Sequence, residues 1–358
     1  MLRQRMNEPL RDLRLRDYLP RPMLRRALHD VPRAAFPVVD AHNHLGRWLV
    51  EDWPVDVGEL VSLMDAANVR AVVNLDGMWE DELSANLERY DLAHPGRFAT
   101  FCQLDWATTG EPGFGERLAR QLAGSLDRGA KGLKVWKALG LRIRDDLGDL
   151  LMPDDQRLDP VWEVAAERGC PVLIHVGDPL AFFQPLDRRN ERLEELLENP
   201  DWWFGDPAVF PPFERIIDSF ERLVARHHRT TFIGAHVACY AEDLDRVDRM
   251  LSSYPNLYAD VAARIAELGR KPRRTRELIM KHPDRILFGT DLAPPSQEIY
   301  SIHFRFLETE DEHFPYDPED PDEPPSQGRW TISGIGLPAE VLEKVYSGNA
   351  VRLIEGIG

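Results

Sequence analysis

The chain has 358 residues, 44 Lys and Arg against 61 Asp and Glu for a formal net charge of −17, and is 43% hydrophobic and 29% charged. This is globular composition with ample material for a core; it excludes nucleic acid or an anionic membrane as the main partner, and no apolar run approaches the roughly 20 residues of a membrane span. A small-molecule substrate is the expectation. Cys102, Cys170 and Cys239 are odd in number and lie in apolar segments, which suits buried free thiols, a cytoplasmic location and no disulfide framework.

Residues 1–36 read as an N-terminal arm. Met1 to Arg26 is arginine-rich but has no apolar stretch of signal-peptide type, and Glu8, Asp12 and Asp17 break the acid-poor pattern of a transit peptide. The arm is expected to be a surface or oligomer contact, so a homodimer is the assembly it allows. From residue 37 to 358, short apolar runs alternate with amphipathic stretches. Strands are predicted at Pro37–Ala41, Ala71–Leu75, Phe98–Leu104, Gly132–Trp136, Val172–His175, Thr231–His236, Leu257–Val261 and Arg285–Gly289. Helices fall between them at Val57–Ala67, Glu82–Ala93, Gly115–Arg128, Asp159–Arg168, Phe213–His228, Ala241–Tyr254 and Arg273–His282, several ending in Gly, Asn or Pro punctuation. Eight such units predict an α/β fold, a (β/α)8 TIM barrel. A doubly wound sheet is the alternative, but no Gly-rich phosphate loop follows the first strand.

Two stretches break the repeat. Residues 180–212, after the fifth strand, hold Phe182, Phe183, Trp202, Trp203, Phe204 and Phe210 around a predicted charged helix, Asp187–Leu197, and are expected to form a lid or pocket wall. Residues 294–336 include the acidic, proline-rich run Glu308–Pro325, expected to be a solvated loop. A last helix, Pro338–Ile354, is expected on the barrel exterior.

The chemistry lies at strand ends. The first strand runs into Asp40-Ala41-His42-Asn43-His44, and two histidines two apart on a strand point imidazoles into one space, a metal-ligand spacing. The fifth strand ends at His175, the sixth at His236, and the eighth leads to Asp291. In a barrel these positions converge at one mouth. Imidazole and carboxylate without cysteine suit an open, catalytic Zn2+, Mn2+ or Fe2+ rather than a closed structural zinc. Lys134, Trp136, Asp76, Asp105 and Arg264 follow other strands, and Arg47 and Trp48 lie just past the histidine pair. Arg264, Trp136 and Arg47 are candidate substrate contacts, an arginine suiting a carboxylate through bidentate hydrogen bonds. Lys137 faces away or into the loop. His29, His94, His227, His228, His282, His303 and His313 are expected at the surface or pocket rim.

From Pro37 to Ile354 this ordered set resembles the amidohydrolase superfamily, and within it the amidohydrolase-related family, which contains hydrolases and metal-dependent decarboxylases. The resemblance rests on Asp40-Ala41-His42-Asn43-His44, Ile174-His175, Gly234-Ala235-His236, Gly289-Thr290-Asp291 and the closing Ser347-Gly348-Asn349-Ala350. It implies that His42, His44, His175 and Asp291 bind one divalent metal, most often zinc, and that Asp291 takes a proton from the activated water. His236 is then a catalytic histidine or a ligand of a second ion. Lys134 resembles the carbamylated lysine of binuclear members; otherwise it holds a substrate carboxylate or pairs with an acid. The implied function is hydrolysis of a small-molecule amide, lactone or ester, with non-oxidative decarboxylation of an aromatic or unsaturated acid as the alternative.

Overall fold

The computed structural model describes residues 12–47, 53, 55–318, 320 and 323–357. Trp48 and the start of the arm lie outside them. Eight parallel strands follow one another in sequence order: β1 Val38–Asn43, β2 Val69–Asn74, β3 Phe98–Cys102, β4 Gly132–Val135, β5 Val172–Ile174, β6 Phe232–Gly234, β7 Leu257–Asp260 and β8 Ile286–Leu287. Ala41 N donates to Phe288 O, Asp291 N to His42 O and His44 N to Leu292 O, which brings the last strand back against the first and completes the (β/α)8 barrel.

The main connecting helices are α1 Val57–Ala67, α2 Glu80–Leu87, α3 Phe114–Arg128, α4 Asp159–Glu167, α5 Phe213–Arg226, α6 Leu244–Ser253 and α7 Pro272–Lys281, with α8 Gln297–Glu308 after β8. Their starts follow local chemistry. Asp56 accepts from Glu59 N and Asp243 from Asp245 N and Arg246 N, while α4 and α7 carry proline in the first turn, where no donor is lost. The helix expected at Asp187–Leu197 is shorter, Leu193–Glu198, because Asp187 and Asn190 cap tight turns through Arg189 N and Arg192 N.

Alternate strand residues divide the core into two layers. Val38, Val72 and Phe98 face the helices, whereas Val39, Ala71, Val73, Ala99, Leu173, Ile233 and Leu287 fill the barrel. Ala350, Ile354 and Ile357 belong to this inner set, so the final helical segment is not on the exterior as expected. It closes the N-terminal mouth, where Asn349 Nδ2 donates to the carbonyls of Pro283 and Ile286. In the aromatic insertion, Phe182 and Phe204 are buried and Phe183 meets Phe213 of α5 at 5.2 Å between centroids. All three cysteines are free and buried, and among the described residues no helix is long and apolar enough to cross a membrane.

His303 corrects a third expectation. It is buried on α8 beside Phe288, because its place in the helix faces the barrel wall. Burial lowers its pKa to about 4 against the opposing hydrogen bond that Nδ1 donates to Ile299 O. The unfolded chain, with histidine near 6.5, therefore binds the proton first, and this group costs stability as pH falls from about 6.5 to about 4. His303→Leu is expected to flatten that acid limb by about 3 kcal/mol between pH 7 and 4. Urea melts of both proteins across that range check it; parallel acid limbs would refute it.

Candidate active site

β1 places its histidines through an irregularity: its register with β2 shifts between Asp40 and Asn43, so His42 and His44 both turn into the mouth, rings 5.6 Å apart. Two glycines leave the room. A Cβ on Gly289 would stand 2.9 Å from His42 Cβ, and one on Gly46 would strike Asp76 at 2.6 Å. Asp291 has φ 65°, a left-handed turn held by Asp40, whose carboxylate accepts from Thr290 N at 3.0 Å, Thr290 Oγ1 at 2.7 Å and Tyr300 OH at 3.0 Å.

His236 stands just past β6 in a run of four positive-φ residues, His236 to Cys239, none of them glycine. Such a run costs about 1–2 kcal/mol per residue and persists only where the surroundings fix it. Here Asp260, at the end of β7, accepts from His236 N at 2.8 Å and Ala262 N at 3.1 Å.

The hydrogen bonds also assign ring tautomers. His42 Nδ1 donates to Asp260 Oδ2 at 2.9 Å, His44 Nδ1 to Asp76 Oδ1 at 2.7 Å, and His236 Nδ1 to Ala262 O at 2.9 Å. Each ring then turns its Nε2 toward the Asp291 carboxylate, at 3.2, 3.0 and 3.7 Å. Lone pairs facing carboxylate oxygens repel unless a proton or cation lies between them. The ligand atoms of His42, His44 and Asp291 lie within 4.8 Å of one another, as do those of His42, His236 and Asp260. Nitrogen and oxygen donors backed by buried carboxylates fit a divalent metal.

The charges agree with that donor set. Burial raises the Asp291 pKa, but His42, His236 and the bonds from His42 and His44 outweigh it and hold the carboxyl well below its ordinary value. Burial disfavours the charged form of His44, yet Asp76 and Asp291 lift it to about 9. Burial keeps His236 well below 6.5, with His175 and Arg264 adding to the effect.

The other predicted residues divide. Lys134 is buried with Nζ 3.1 Å from His42 Nε2, and burial lowers its pKa against the pull of Asp291, Asp260 and Asp76. Trp136 lies beside His44, centroids 5.0 Å apart. Arg264 is buried; its Nη1 donates to Ala263 O, and it forms no ion pair among the described residues. His175 stands apart from both of these ligand clusters: its ring packs edge-on against His236 at 4.3 Å, and its Nε2 lies 3.3 Å from Asp178 Oδ1. Burial lowers its pKa to about 4. Arg47 turns to Glu82 and stacks over Trp53 at 5.3 Å. Asp105 caps a turn through Ala107 N, and Lys137 pairs with Asp178. Asp260 and Asp178 were missed in the sequence, and Asp40 was read only as part of the first-strand motif without a role, although a carboxylate in an otherwise apolar strand, as Asp40 and Asp260 are, is itself a signal of a buried partner.

An eight-stranded parallel barrel with histidines and an aspartate gathered at one mouth defines the class of metal-dependent barrel enzymes. Residues 39–355 match the amidohydrolase family, and the chain belongs to it. No curated protein matches in sequence. Among solved structures the chain is similar to 2,6-dihydroxybenzoate decarboxylase from Rhizobium, at 16% identity over 89% of this chain and 98% of that one, TM-score 0.55. It is also similar to a dihydroxybenzoic acid decarboxylase from Polaromonas sp. JS666 with bound manganese and the inhibitor 2-nitroresorcinol, at 16% identity over 89% and 96%, TM-score 0.56. An uncharacterized TIM-barrel protein from Bordetella bronchiseptica aligns at 15% identity over 89% and 98%, TM-score 0.53. At these identities the likeness is one of fold.

Proposed function

We propose that this chain is a metal-dependent hydrolase of a small-molecule amide, lactone or ester that also carries a carboxylate. The observation behind this reading is the ionised, partly exposed Asp291 carboxylate facing three imidazole Nε2 atoms. His42, His44 and Asp291 are the ligands this reading gives a divalent ion, zinc or manganese by donor type. His175 and Lys134 are the further ligands of a two-ion arrangement, and the depressed pKa of Lys134 favours the neutral amine that carbamylation requires. A divalent ion there supplies Lewis-acid polarisation of a substrate oxygen and acidifies water to a pKa of about 7.

The chain's own groups then divide the work. Asp291, the site acid with solvent access, accepts the proton of the attacking water. His236, neutral and anchored through Nδ1–H, takes that proton at Nε2 and passes it to the leaving group. Arg264 holds the substrate carboxylate, and Trp136 forms a flat wall beside His44.

Arg264 also favours a second reading, decarboxylation, since a buried guanidinium that forms no ion pair among the described residues suits a carboxylate near the reacting centre. Both dihydroxybenzoate decarboxylases named above share the fold. Turnover of lactones, amides and aromatic carboxylates in oxygen-18 water separates the two. Hydrolysis places the label in product; carbon dioxide release without label would replace it with the lyase reading.

Metal removal gives an independent readout. Chelation is expected to lower thermal stability and abolish turnover, and zinc or manganese at a thousandfold excess over Kd should restore about 4 kcal/mol. Unchanged melting and activity in metal-free protein would sink the proposal.

A further inference from the structure

Six of the fourteen large apolar side chains that stand exposed among the described residues lie in one short stretch of the arm: Leu13, Leu15, Tyr18, Met23, Leu24 and Leu28. Met23 is 91% exposed. The body anchors this stretch largely by its main chain. Arg329 donates to the carbonyls of Leu15 and Tyr18, and Arg305 to that of Ala27. Side chains are thereby left facing outward, an exposed apolar patch of the kind that marks an interaction surface.

Beside the arm runs a groove of about 760 Å³ between the arm, α8 and the second insertion. Pro32, Ile302 and Pro315 give it apolar walls; Glu298, Asp317 and the arm's own Asp30 give it negative charge, while Arg305, which also lines it, is paired with Asp311. Arm and groove are complementary in charge as well as in apolar character. Residues 1–33 hold nine arginines against four acids, whereas 308–325 hold nine acids and no lysine or arginine.

We propose that this face docks a second copy of the same chain, the arm of each protomer lying over the acidic groove of the other. The arrangement is isologous and closes as a two-fold dimer, each contact occurring twice. Arg21 and Arg25 of one copy meet Asp30, Glu298 and Asp317 of the other, while Met23 and Leu24 enter the groove. A basic, apolar arm also suits an anionic bilayer, but a body of this net charge is repelled from one.

Sedimentation velocity of the full chain at micromolar concentration tests the assignment. The wild type is expected at twice the 41.0 kDa of one chain. Met23→Glu with Leu24→Glu should weaken self-association by at least about 30-fold, with the far-ultraviolet circular dichroism of the folded chain unchanged because both residues are exposed in the single protomer. Raising salt should weaken the wild-type dimer in the same direction. A wild type that stays monomeric, a double variant that stays dimeric, or an arm-dependent shift of the wild type onto phosphatidylglycerol vesicles would overturn it. None of these readouts depends on the reaction catalysed.

Discussion

Asp291→Asn is expected to lower kcat/KM by on the order of 10⁴-fold with the fold intact. The two side chains have the same shape, and Asp291 N would still donate to His42 O. What changes is the charge and one oxygen. In the native site Oδ1 faces His42 Nε2 at 3.2 Å and His44 Nε2 at 3.0 Å, while Oδ2 faces His236 Nε2 at 3.7 Å. An amide cannot present oxygen to all three, keeps no base for the water proton, and loses the anion that balances a divalent ion. The loss should fall mainly on kcat, because Arg264 and Trp136, the proposed substrate contacts, are untouched. In metal-free protein His44 gives a second readout. Burial opposes its charge, Asp76 and Asp291 raise it to about 9, and without the Asp291 charge its titration must move down. Turnover within tenfold of wild type, with metal content unchanged, would remove Asp291 from the chemistry.

That residue was legible in the sequence for a topological reason. A parallel barrel brings every strand's C-terminal end to one mouth, so polar residues directly after apolar runs converge however far apart they are in the chain. His42, His44, His236 and Asp291 were found in this way, as was Lys134 at the fourth strand. The backbone that aims them was not legible. Nothing in Ala235-His236-Val237-Ala238-Cys239 announces four left-handed residues, since none is glycine and the fixing contact comes from Asp260 on another strand. The last helix shows the same limit. Ala350, Ile354 and Ile357 are spaced in the sequence as one helical face, although the helix itself stops at Leu353, and periodicity says that a face is buried and not which surface buries it. The helix layer and the open barrel mouth are both apolar, and only closure of the barrel decides between them.

Asp260→Asn is expected to weaken metal binding by about 10- to 100-fold and also to lower kcat at saturating metal. Two separate effects arise because one carboxylate serves two histidines. Oδ2 accepts from His42 Nδ1, and Oδ1 accepts from the backbone N–H groups of His236 and Ala262. Asparagine has one acceptor oxygen. If that oxygen keeps the backbone donors, the amide NH2 meets His42 Nδ1–H, and the ring must move its proton to Nε2, which then no longer offers a lone pair to the ion. If the oxygen keeps His42, two buried backbone donors lose their partner and the left-handed turn that presents His236 loosens. Asp76→Asn is the control, for Asp76 orients His44 without touching His236. It should reproduce the loss of metal affinity, measured by competition with a chromophoric chelator, and spare kcat once the site is saturated. Equal kcat losses in both variants would show that His236 is not held through Asp260, and wild-type affinity in Asp260→Asn would show that the His42 tautomer is fixed by something else.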